Sequence, residues 1–77
     1  MHINYNVLLD ATKDDCPIPV IKTKEVLDTM GVGEVLKVIT TREGTIKNIR
    51  TFVSNNHYKL LKQFKEDENI NFYIEKL

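Results

Sequence analysis

Polar and apolar residues alternate over residues 3–9. Ile3, Tyr5, Val7 and Leu9 fall on one side, and Asn4 and Asn6 on the other. This period of two predicts a half-buried strand. Residues 10–15 are polar and read as a loop, with Asp14 or Asp15 placed to cap a following helix. The spacing then changes. Val20, Thr23, Leu27 and Met30 recur at helical intervals, with Ile21 and Lys24 at the margin, and Lys22, Glu25 and Asp28 lie on a solvated face. A helix over 17–30 is predicted, stopped by Gly31, with a turn at Gly33. Residues 34–41 are rich in β-branched side chains and nearly continuous in apolar character, as in a strand inside a sheet. A second helix over 42–55 carries Ile46, Ile49, Phe52 and Val53 as its apolar stripe. Thr41 is its expected N-cap, Gly44 weakens its first turn, and Asn55-Asn56 is its expected left-handed end.

The rest of the chain alternates again. Over residues 57–65, Tyr58, Leu60 and Phe64 oppose Lys59, Gln63 and Lys65. Residues 66–69 form a polar turn, and Ile70, Phe72 and Ile74 share one face of a last strand over 70–77. These two strands read as an antiparallel hairpin. The first strand, helix and second strand read as a right-handed βαβ unit with parallel strands. The expected fold is therefore α/β (α+β), a two-layer β-α-β-α-β-β sandwich. Its four-stranded mixed sheet carries two helices on one face.

A chain of 77 residues makes a single domain, 1–77, with a small core. Lysine plus arginine and aspartate plus glutamate stand at 11 each, which argues against direct nucleic-acid binding driven by phosphate neutralisation. The sequence shows no apolar run long enough to span a bilayer and no signal peptide, so neither membrane insertion nor export is expected. The single cysteine excludes an internal disulfide and a multi-cysteine zinc site, and a free thiol fits a reducing, cytoplasmic location. Nothing in the sequence calls for a cofactor or metal.

That cysteine is the centre of the candidate chemistry. Cys16 is followed by Pro17 and Pro19, the only two prolines in the chain. Proline suits a first helical turn, where its missing N–H would find no partner. A sulfur at a helix N-terminus meets unpaired N–H groups and a positive dipole end, which favour the nucleophilic thiolate. Asp14 and Asp15 oppose this with like charge. A buried, inert cysteine is the plain alternative. His57 is placed either as a general base or as a joint between helix and strand, and the joint is favoured. Lys22 and Lys24, nearest the motif, are the candidate docking cations, with Arg42, Lys47 and Arg50 as further members of a basic surface. The plain reading of these is a solvated helix face.

Taken together, these residues resemble the TusA/SirA-like small sulfur carriers. The likeness rests on Cys16-Pro17-Ile18-Pro19 after the first strand, Leu9-Asp10 before it, Met30-Gly31-Val32-Gly33-Glu34 after the helix, Ile49 with Phe52, and His57. The sequence departs from the family pattern at Lys13-Asp14, where Gly-Leu is common, at Arg42-Glu43 in place of Asp-Pro, and at Ile49-Arg50 in place of Ile-Pro. The resemblance implies that Cys16 carries sulfur as a persulfide and that Pro17 and Pro19 shape the turn presenting it. The implied partners are a cysteine desulfurase or rhodanese-like donor and a downstream sulfur-acceptor protein. The implied destinations include tRNA thiolation, molybdenum-cofactor enzymes and oxidative sulfur metabolism. Such a chain is a sulfurtransferase subunit rather than a free-standing enzyme. The alternatives are a redox-sensing or regulatory adaptor that does not transfer sulfur, and a small thiosulfate sulfurtransferase.

Overall fold

The computed structural model describes residues 4–14 and 18–77. The order of elements is β1 (Val7–Asp10), α1 (Ile18–Thr29), β2 (Val35–Thr40), α2 (Gly44–Asn55), β3 (Lys59–Glu66) and β4 (Asn69–Glu75). The strands form one sheet in the order β1-β2-β4-β3. β1 runs parallel to β2, while β4 is antiparallel to both β2 and β3. Both helices cover one face of the sheet. Leu27 and Met30 of the α1 segment and Ile49 and Val53 of α2 meet Leu36, Val38, Ile70, Phe72 and Ile74 of the central strands in a single core. The expected mixed-sheet, two-layer architecture is the one found.

The alternation in β2 and β4 works as the pattern requires. Leu36, Val38 and Thr40 are fully buried under the helices, and so are Phe72 and Ile74. Each strand lies between two neighbours, so its backbone donors and acceptors are paired on both sides. β1 is shorter than expected. Its Val7 and Leu9 pack on the core, but Tyr5 does not join them. The chain bends at Asn6, whose side-chain Oδ1 accepts the Val35 N–H at 2.9 Å while its own N–H donates to the Val35 carbonyl at 2.8 Å. This local pairing ends the pleat early and sends Tyr5 to the opposite face, where its ring lies 6.3 Å from that of Tyr73.

β3 also departs from simple alternation. Leu60 faces Ile74 and Lys62 faces Tyr73, so Leu61 is an extra residue in a β-bulge. Every side chain beyond the bulge changes face. Phe64, expected beside Leu60, lies instead on the uncovered face, stacked on Tyr73 at 6.1 Å. Gln63 turns toward the core beside Phe72, and its Oε1 is buried without a hydrogen-bond partner.

The helix ends differ in detail from expectation. Thr41 does not cap α2. Its hydroxyl bonds the Thr12 carbonyl, and the N-cap residue is Glu43, which makes no side-chain cap bond. Asn56 ends α2 with φ −115°, and the left-handed residue is His57, at φ 60°. The Tyr58 N–H reaches back to the Val53 carbonyl at 3.2 Å across this turn. His57 is therefore the joint between helix and strand. At the end of α1, the Lys76 ammonium donates to the Leu27 and Met30 carbonyls, each at 2.8 Å. A cation here meets the negative end of the helix dipole, satisfying the Met30 carbonyl and adding a second donor to that of Leu27, which also accepts the Met30 N–H.

Candidate functional site

The loop between β1 and α1 is built from short-range polar bonds. Asp10 ends β1, and its Oδ1 accepts from the Thr12 N–H at 3.0 Å and the Thr12 hydroxyl at 2.7 Å. This is the turn that an aspartate makes two residues ahead of a donor. Ala11 is fully buried, and its N–H continues the parallel ladder to the Ile39 carbonyl at 2.8 Å. The Asp14 N–H returns to the Ala11 carbonyl at 3.2 Å, and Thr41 holds the Thr12 carbonyl at 2.9 Å. Residues 10–14 are thus tied both to themselves and to the strand beyond. The two Thr12 donors, first the N–H and then the hydroxyl, hold the Asp10 carboxyl below its ordinary value, and the Lys13 charge adds to them against a small opposing effect of burial.

Lys22, expected as a docking cation, reaches across from α1 to Asp14, with 2.7 Å between Nζ and Oδ2. Its side chain remains 44% exposed and that of Asp14 23%. A pair this open contributes little to stability, ~0.2–1 kcal/mol. Its effect on local charge is more important, because it offsets one of the two carboxylates that precede Cys16 in the chain. Asp10, Thr12, Lys13, Asp14 and Lys22 line an open hollow of about 370 Å³. Lys24 points elsewhere and pairs with Asp28 one helical turn on, at 3.2 Å.

Cys16 and Pro17, and Asp15 as a possible cap, lie outside the described residues. Pro19 is described. It stands in the first turn of α1, where its missing N–H is harmless, and it is fully buried. Its carbonyl accepts the buried Thr23 hydroxyl at 2.7 Å. Pro19 therefore anchors the start of the helix to the core rather than forming exposed surface. Outward from it, Ile18 and Ile21 are 41% and 47% exposed. A shallow groove of about 640 Å³ follows, formed by Val20 of α1 with Lys47, Asn48, Thr51, Phe52 and Asn55 of α2 and the adjoining Asn56. Val20 and Lys47 line this groove, Lys22 lines the hollow beside loop 10–14, and Lys24 is held by Asp28.

Asp10, Thr12 and Thr41 were not among the residues expected to build the site. The Asp-x-Thr spacing was a readable turn signal, but nothing local marks Thr41 as the partner of a carbonyl 29 residues earlier. Among the described residues no group of three His, Cys, Asp or Glu side chains could hold a metal ion, and no helix is long and apolar enough to cross a membrane.

Residues 7–76 match the family model described as sulfurtransferase TusA. Over 73 residues the chain is 34% identical to the sulfur carrier protein TusA of Allochromatium vinosum, covering 95% of this chain and 96% of that protein. Its fold is similar to the crystal structure of a SirA-like protein from Desulfitobacterium hafniense. There the TM-score is 0.82 at 26% identity, over 91% of this chain and 96% of the other. The chain belongs to the TusA family.

Proposed function

We propose that this TusA-family chain is a sulfur carrier that holds sulfur as a persulfide on Cys16 and relays it between two proteins. One observation carries the reading. The only cysteine of the chain falls in the matched span, two positions after the pinned loop 10–14 and two before the start of α1. That loop is tied at Asp10, Ala11, Thr12 and Asp14, so residues 10–14, ahead of the cysteine in the chain, are held in one arrangement.

The chemistry is thiolate exchange. The Cys16 thiolate attacks the outer sulfur of a donor persulfide, supplied by a cysteine desulfurase or a rhodanese-like protein. A new S–S bond forms at Cys16, the donor's S–S bond breaks, and the donor cysteine leaves as a thiolate. No net oxidation occurs, and no cofactor is needed on this chain. An acceptor protein's thiolate then repeats the step on Cys16, as in the thiolation of tRNA or another sulfur-trafficking pathway. Pairing of Asp14 with Lys22 reduces the negative charge near the sulfur and so supports the thiolate. Ile18, Ile21 and the groove around Phe52 supply apolar surface on the helical layer for a donor or acceptor to cover, with Lys47 in the groove. The reading places the carrier in a reducing cytoplasm.

The test is intact mass spectrometry after incubation with a cysteine desulfurase and cysteine. The wild-type chain is expected to gain one sulfur atom that a reductant removes, and Cys16→Ser is expected to gain none. Equal loading of both chains, or no loading with either this donor or a rhodanese-type donor, overturns the assignment.

A further inference from the structure

The helices cover one face of the sheet and leave the other open. On that open face Leu8, Lys37, Tyr73 and Lys62 stand in one row across all four strands, since Leu8 pairs with Lys37, Lys37 with Tyr73 and Tyr73 with Lys62. Tyr5 and Phe64 flank the row. The Lys37 ammonium lies 5.3 Å from the Tyr5 ring centre and 5.5 Å from that of Tyr73, and Lys62 lies 5.1 Å from that of Phe64. Leu8 is 50% exposed and Tyr5 45%. The middle of the face is therefore apolar and aromatic, with Tyr73 itself only 8% exposed beneath its neighbours, and it holds two cations, while Lys59 and the carboxylates on this side, Asp10, Glu66 and Glu75, fall at strand ends.

We propose that this open face docks an acidic amphipathic helix of a partner protein, with Lys37 and Lys62 receiving its carboxylates and Leu8 and Tyr5 receiving its apolar stripe. The proposal goes beyond the carrier reading and does not depend on Cys16. Three physical arguments select the occupant. A helix is the usual cover for an open sheet face and would complete a three-layer arrangement. Lys37 and Lys62 are separated by two strand spacings, roughly 10 Å, which matches side chains seven residues apart on one helix face, ~10.5 Å. The charges are complementary, because two cations in an apolar setting attract carboxylates more strongly than they would in open water.

The same features disfavour the other occupants. Single-stranded RNA would need free ring faces on which to stack its bases, and Tyr73, the central ring, is only 8% exposed, packed among Tyr5, Phe64 and Lys37. A second copy of the chain would bring the same two central cations to the interface and no carboxylate to meet them there, since the carboxylates of this face fall at strand ends.

The experiment is a nitrogen-15 NMR titration of the full chain. The probe is a synthetic amphipathic helical peptide of about four turns, with leucines on one side flanked by glutamates seven positions apart. Saturable shifts are expected at the amides of Leu8, Lys37, Lys62 and Tyr73. Weakening by about tenfold is expected in the Lys37→Glu, Lys62→Glu double variant, from the loss of two partly exposed ion pairs. If that variant fails to fold by circular dichroism, Lys37→Gln with Lys62→Gln replaces it, with the same direction of change expected. The proposal is overturned if a lysine-for-glutamate peptide binds equally well, or if an oligouridylate binds in place of the peptide. It is also overturned if the shifts map to the helical layer, if no saturable shift occurs, or if sedimentation shows that the chain pairs with itself through this face.

Discussion

Replacing Lys76 by methionine tests how α1 is closed. Methionine keeps most of the apolar stem and removes only the ammonium, so the perturbation is confined to the two bonds to Leu27 and Met30. The Lys76 backbone bonds, N–H to the Glu34 carbonyl at 3.0 Å and carbonyl from the Gly33 N–H at 2.7 Å, stay in place. Of the two carbonyls released, that of Leu27 still accepts the Met30 N–H at 3.1 Å, leaving the Met30 carbonyl to find water. A hydrogen bond to a charged group contributes ~1.5–3 kcal/mol, and a cation at a helix C-terminus ~0.3–1 kcal/mol. Lysine is half-buried here, and freeing its side chain recovers up to ~1.5–2 kcal/mol of rotamer entropy. The net loss should be about 1 kcal/mol. For a domain of this size that corresponds to a fall in Tm of ~4–8 °C, measured by far-ultraviolet circular dichroism. A shift of less than about 1 °C would show that the Lys76 cap does not stabilise α1 and would refute the reasoning.

Three further outcomes are expected. Thr41→Val removes the bond to the Thr12 carbonyl. It should cost ~0.5–1 kcal/mol and speed hydrogen exchange at Asp14 and its neighbours in the loop, whereas unchanged exchange would show that the loop is held without it. Asp10, with its folded value lowered by Thr12, should add stability above the ordinary carboxylate range and lose it as pH falls through that folded value. In Thr12→Val the NMR titration midpoint of Asp10 should move upward, and an unmoved midpoint counts against the hydroxyl. Loading of Cys16 should slow in Lys22→Met, which leaves Asp14 unneutralised, and recover in Lys22→Met with Asp14→Asn. Equal rates in all chains would remove this pair from the chemistry.

Much of the fold is legible because the core-facing side chains of its central strands recur at every second position. Ile70, Phe72 and Ile74 announce their common face, and so do the apolar stripes of both helices. What escaped is of two kinds. The Leu61 bulge shifts a strand by one residue, and nothing in a run of alternating residues signals where the extra residue will sit, so Gln63 and Phe64 were assigned to the wrong faces. The remaining misses are long-range polar bonds. Thr41 to Thr12 and Lys76 to the end of α1 join residues 29 and at least 46 positions apart, and local propensity carries no information about such partners. The candidate site divides in the same way. The Cys-Pro-x-Pro motif and the Asp10 turn are local and visible, whereas the ties that hold loop 10–14 against β2 appear only once the chain is folded.

The strand order β1-β2-β4-β3 bears on synthesis. The ribosome releases β1, α1, β2, α2 and β3 before β4, yet β4 is the strand that joins β2 to β3. Until it emerges, β2 has one unpaired edge, and Leu36 and Val38 lack Ile74 and Phe72 beside them. Folding to the native sheet is therefore post-translational with respect to this domain, and the nascent chain exposes a β-branched edge during that interval. A chain truncated before residue 69 would leave that edge of β2 unpaired and Leu36 and Val38 uncovered on that side, an edge of the kind that pairs with other chains.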